Sequence, residues 1–147
     1  MRDHGLQGLR AALLATTTVA VFGCGPSPIT SVRIEAAIEA TFANLVQLQV
    51  SMLGLPSPPA LDFGVTASCR TLAGRNAGAG DWVCNLVWLG PDRQHLRDAY
   101  DLFVATDGCY TATVEGNNLG GPTLKTPDGR DVRNLLFTFE GCFDTSS

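Results

Sequence analysis

The side chains available for chemistry are five cysteines, two histidines and fourteen carboxylates. A zinc site using Cys69, Cys84, Cys109 and Cys142 would need closely spaced ligand pairs, and the chain has no Cys-x-x-Cys knuckle. The same gap excludes a thioredoxin-type redox motif. A serine or cysteine hydrolase needs a base, and His95 is the one imidazole beyond the first few residues. It lies in the charged run 92–98, which reads as a solvated connection between strands. The chain has no G-x-S-x-G elbow, no H-E-x-x-H helix and no phosphate-binding loop, since Gly74, Gly78 and Gly80 lack the Lys and helix that such a loop requires. Asp98, Asp101, Asp107, Asp128 and Asp131 read mostly as turn residues, where Asp bonds to nearby backbone. The run 128–131 falls short of a calcium loop, and no carboxylate pair suited to glycoside hydrolysis is evident. The expectation is a chain with no cofactor, no metal and no catalytic set.

The start of the chain reads as an address. Arg2 and Arg10 precede an uncharged, mostly apolar run, 11–22, that ends at Gly23-Cys24, which is the layout of an export signal. Val21-Phe22-Gly23-Cys24 resembles the lipobox of bacterial lipoproteins, although Phe22 is bulkier than the residue usual at its position. The resemblance implies cleavage before Cys24, diacylation of Cys24 with chains such as palmitate, and anchoring at the outer face of the cell membrane. Cleavage without acylation is the alternative that Phe22 leaves open. Arg2 and Arg10 are not adjacent, so this is not a twin-arginine signal. Gly23, Gly25, Pro26 and Pro28 interrupt the apolar interval before it reaches the roughly 20 residues of a transmembrane helix. The organisation expected is a signal peptide at 1–23, a lipidated tether at 24–30, one domain at 31–144 and a short tail at 145–147. The net charge of −4 becomes more negative once Arg2, Arg10 and Asp3 are removed, giving no electrostatic reason to bind nucleic acid.

Setting Cys24 aside leaves Cys69, Cys84, Cys109 and Cys142, an even set in an oxidising compartment, which argues for two disulfides. Residues 63–72 and 81–89 read as strands joined by the flexible hairpin loop 73–80. If Leu72 faces Asp81, Cys69 falls opposite Cys84, within reach of a bridge. Cys109 and Cys142 are then left to pair.

Apolar residues from Val32 through Ile34, Ile38, Phe42, Leu45, Leu48 and Met52 recur near helical spacing, widened by Val46 and Val50. Thr30 or Ser31 can cap the start, Glu35 and Glu39 suit the early turns, and Gly54 and Pro56 stop the helix at about 31–53. Period-two segments follow. Trp82, Cys84, Leu86 and Trp88 share a face. The segments 99–106 and 109–115 flank the hairpin signal Asp107-Gly108, in a register that places Phe103 and Ala105 against Ala112 and Tyr110. A short strand at 123–126, the turn 127–130 and a last strand at 132–143 complete the set. The core is expected to draw on the helix stripe with Phe63, Val65, Trp82, Leu86, Trp88, Phe137 and Phe139. The fold class is α+β: one long N-terminal helix packed on an antiparallel meander of five or six strands, held by two disulfides.

The segments 107–112 and 139–144 resemble those of uncharacterised secreted proteins of high-GC Gram-positive bacteria, a likeness that implies no activity. The scarcity of Lys, with Lys125 the only one, suits such a genome. The function expected is that of a membrane-anchored, non-catalytic binding module with an unknown envelope protein or ligand as partner. The alternative is a small secreted inhibitor or enzyme localised by its lipid, with 116–121 as its active loop.

Overall fold

The computed structural model describes residues 28–145, so Cys24 and the expected export segment lie outside the described residues. Helix α1 (Ser31–Met52) and a 3-10 turn (Ala60–Phe63) precede strands β1 (Thr66–Thr71), β2 (Gly80–Leu89), β3 (His95–Val104) and β4 (Cys109–Glu115). Strands β5 (Thr123–Lys125), β6 (Asp131–Arg133) and β7 (Thr138–Cys142) follow. Antiparallel pairing gives a five-stranded sheet in the order β1-β2-β3-β4-β7, with β5 and β6 forming a separate hairpin. The two disulfides are Cys69–Cys84 and Cys109–Cys142, and each joins directly opposed residues. One helix on an antiparallel sheet with two bridges is therefore the architecture.

Helix α1 buries Ile34, Ile38, Phe42, Val46 and Val50 at a constant spacing of four, the stripe a helix shows to a sheet. Val32 and Leu48, expected in that stripe, are 71% and 52% exposed. Gln49 takes a buried place instead, because its Oε1 accepts the Leu135 N–H at 2.6 Å. The helix ends where Gly54 adopts φ 72°, a left-handed conformation that suits glycine. Phe42 sits at the centre of an aromatic cluster, with ring centroids 4.9 Å from Trp88, 5.7 Å from Tyr100 and 6.0 Å from Phe139. The Tyr100 hydroxyl donates to the Leu136 carbonyl at 2.8 Å, which satisfies its polar end inside the core.

The β3–β4 hairpin differs from its expected register by one residue. Phe103 faces Thr111, Leu102 faces Ala112 and Val104 faces Tyr110. Ala105 N–H bonds to Cys109 O and Gly108 N–H to Ala105 O, so the loop has three residues, 106–108, and not two. Gly108 adopts φ 84° and Asp107 Oδ1 accepts the Cys109 N–H, the pattern of a type I turn closed by a glycine bulge. The one-residue slip exchanges faces: Leu102, Val104, Tyr110 and Ala112 enter the core, and Phe103 points to solvent.

Three other boundaries shift. β1 begins at Thr66, since Phe63 belongs to the 3-10 turn and Gly64 intervenes at φ 54°. β3 begins at His95, so His95 to Asp98 extend the β2–β3 ladder where a connection was expected; Gly90 N–H donates to Gln94 O and closes that hairpin tightly. The expected last strand divides into β6 and β7 at Asn134. Its Oδ1 accepts the Leu136 N–H, and its Nδ2 donates to the carbonyls of Leu119 and Gly121, so it forms a turn and pins loop 116–121.

The two sheet edges are treated differently. The outward N–H groups of Ala67 and Cys69 on β1 donate to the side chains of Glu39 and Glu35 at 2.8 Å, and that of Thr71 donates to Arg75 O. Two helix carboxylates thus stand in for a neighbouring strand and close the β1 edge. β7 forms the other edge and points its Thr138, Glu140 and Cys142 amides away from β4.

Candidate functional site

Helix α1 covers one sheet face, and the register assigns the residues of the other. Its rows run Ser68–Asn85–Ala99–Glu115, then Arg70–Val83–Asp101–Thr113–Thr138, then Asp81–Phe103–Thr111–Glu140. Leu72 extends the last row beside Asp81, to whose carbonyl its N–H donates. Phe103 is 59% and Leu72 is 70% exposed, and with Asp81, Asp101, Thr111 and Thr113 they line an open depression of about 410 Å³. Val83, Val87 and Leu89 are half-buried on the same face. The result is an apolar strip along β2, interrupted by Asn85 and Asp81, with Phe103 and Leu72 at one end and carboxylates along its edge.

Asp101 and Glu115 interact directly. A hydrogen bond to the Asp101 carboxylate, reinforced by its charge, holds the Glu115 carboxyl above its ordinary value of 4.5, against the opposing pull of the Arg70 guanidinium. A cation placed beside the two carboxylates would offset that like charge. Among the described residues the ion pairs are Lys125–Asp131 and Arg130–Asp128, both within the β5–β6 hairpin. Asp81, Asp101 and Glu140 on the open face therefore have no ion-pair partner among those residues.

The structure separates the other candidates. Cys69–Cys84 lies on the buried face beneath α1, whereas Cys109–Cys142 lies on the open face with Cys142 exposed. His95 is exposed at the start of β3, away from the Asp101–Glu115 pair. Asp98 and Asp131 are strand residues because the β2–β3 and β5–β6 hairpins run further than expected, and Asp101 lies in β3 within the expected strand 99–106. Asp98 is buried; its Oδ1 accepts from Asn118 Nδ2 at 3.0 Å, while its Oδ2 has no hydrogen-bond partner. Burial raises its carboxyl above 3.8, partly countered by the Asn118 bond. Asp107 and Asp128 occupy the turns expected of them, and Asp128 is held below 3.8 by the Thr126 hydroxyl and Arg130. Loop 116–121 is fixed to the body by Asn118 and Asn134. Among the described residues no three His, Cys, Asp or Glu side chains gather as metal ligands, and no helix is long and apolar enough to cross a membrane.

Sequence reasoning missed the open face for one reason: the hairpin register placed Phe103 among packed apolar residues. A three-residue reading of the loop, with Gly108 as the bulge, was the signal that would have turned it outward. The chain matches no protein-family model, no curated protein and no solved structure.

Proposed function

We propose that this protein is an exported lipoprotein, anchored at the outer face of the cell membrane through Cys24, that acts by binding rather than by catalysis. The observation that carries the binding role is the exposed pair Phe103 and Leu72 on a sheet face that no helix among the described residues covers. Grouped apolar side chains on a solvent-facing sheet are the usual mark of an interaction surface. The two disulfides are compatible with an oxidising compartment.

Anchoring would also set the orientation. Gly78 N–H donates to Ile29 O and Ser31 N–H to Asn76 O, so the chain enters the domain against the β1–β2 loop. The four Cα–Cα steps from Cys24 to Pro28 span at most about 14 Å. The end of the sheet carrying Leu72, Asp81 and Phe103 adjoins that loop and would lie near the bilayer.

A photo-crosslinking residue at position 103, compared with one at Leu48 on the exposed side of the helix, tests the binding role in the native envelope. A discrete adduct from position 103 alone is expected. Equal, diffuse labelling from both positions would contradict a binding role for this face.

A further inference from the structure

The open face also limits what it can receive. Its apolar strip alternates with carboxylates: Asp81 faces Phe103 across β2 and β3, Asp101 precedes Phe103 by two residues on the same face, and Glu140 ends the row on β7. Against them stand Arg70 and Arg97, and Arg97 lies at the far end of the face. A second copy laid face to face would bring carboxylates against carboxylates, and an anionic lipid surface would be repelled. A basic side chain fits instead. Its methylene stem covers Leu72 or the Phe103 ring, and its charged head reaches Asp81 or Asp101.

We propose that this face docks an extended, basic segment of a partner protein, in which Lys or Arg alternates with apolar residues. In an extended segment every second side chain faces the sheet, so basic residues at alternate positions lay their stems on the strip and their charged heads at its carboxylate edge. Charge complementarity favours this partner over a neutral peptide, and the three carboxylates without ion partners among the described residues supply it. The inference rests on the reading of the protein as a binding module, and names the partner of that same surface.

The test measures fluorescence anisotropy of three end-capped peptides, alternating Val with Lys, with Ser or with Glu. The protein is used as recovered from the envelope, in zwitterionic nanodiscs. The Lys peptide is expected to bind at least about tenfold tighter than the Ser peptide, and the Glu peptide not to bind. Raising the salt concentration should weaken the Lys complex. Phe103→Ser and Asp101→Asn, both at exposed positions, should each weaken it about tenfold, while Leu48→Ser leaves it unchanged. Equal binding of the Lys and Ser peptides, or a Lys complex indifferent to both face variants, overturns the basic partner and leaves the binding module standing. Binding of phosphatidylglycerol vesicles that Phe103→Ser abolishes replaces the protein partner with lipid. No binding by any peptide overturns both readings of the face.

Discussion

The Glu35 carboxylate accepts the Cys69 backbone N–H at 2.8 Å, and Glu39 repeats the contact with Ala67 one helical turn on. A spacing of four on α1 therefore matches a spacing of two on β1. Replacing either glutamate with Ala leaves a half-buried N–H without a partner, at a cost of about 1–3 kcal/mol in urea unfolding. Gln, whose side-chain carbonyl still accepts, should recover much of the loss. The double Ala variant also opens the β1 edge, so sedimentation should show it self-associating at concentrations where the native chain does not.

The two disulfides should differ in accessibility more than in contribution. Chain-entropy arguments give about 3 kcal/mol for the Cys69–Cys84 loop and about 4 kcal/mol for the longer Cys109–Cys142 loop. Cys69 and Cys84 are buried beneath the helix, while Cys142 is exposed. Titration with a mild reductant, followed by alkylation and peptide mapping, should label Cys109 and Cys142 first. Earlier labelling of Cys69 and Cys84 would contradict the face assignment.

Asp98 gives the fold a defined pH dependence. Its folded value is raised by burial, so its favourable contribution is fully present below 3.8 and is lost as pH rises through the raised value. Asp98→Asn removes that ionisation and keeps an oxygen for Asn118. The variant should gain stability over the native chain as pH climbs from strongly acidic to neutral, and then hold a constant lead. A lead that shrinks with rising pH would show that the Asp98 carboxylate is stabilised in the fold.

Much of this architecture was legible in the chain. Cys69 and Cys84 could be paired because the strands on either side of loop 73–80 alternate cleanly enough to fix a register. Ile34, Ile38 and Phe42 declared the helix through their spacing. What escaped depended on features that local pattern does not encode. Two- and three-residue loops around Asp107-Gly108 share one sequence signal and differ in which face Phe103 takes. Asn134 breaks a strand through bonds to Leu119 and Gly121, and such distant backbone partners cannot be inferred from neighbouring residues. The Asp101–Glu115 pair likewise arises from the register of β3 on β4, where the sequence showed only scattered acids.

Glu115 should titrate above 4.5, followed by carboxyl carbon NMR, because its protonated form donates to the Asp101 carboxylate and its charged form meets the Asp101 charge. In Asp101→Asn the like charge is gone and the Glu115 midpoint should fall. An unchanged midpoint would separate the two carboxyls and remove the pair from the open face.

Gly141 stands opposite Tyr110, whose ring occupies the space a Cβ would need. Tyr110 in turn reaches α1, with its hydroxyl 3.0 Å from the Thr41 hydroxyl. Gly141→Ala should displace the ring and cost about 1–3 kcal/mol by thermal or urea unfolding, with loss of the Tyr110–Thr41 contact. Wild-type stability in that variant would mean that β7 lies elsewhere.

The claim on which the binding role at the envelope depends is the lipid on Cys24, and intact-mass spectrometry of protein extracted from its own membranes tests it most directly. The expected mass begins at Cys24, carries acyl chains, and shows four free thiols only after reduction. A lipid-free or unprocessed mass, or free thiols before reduction, would contradict an anchored, disulfide-bonded lipoprotein.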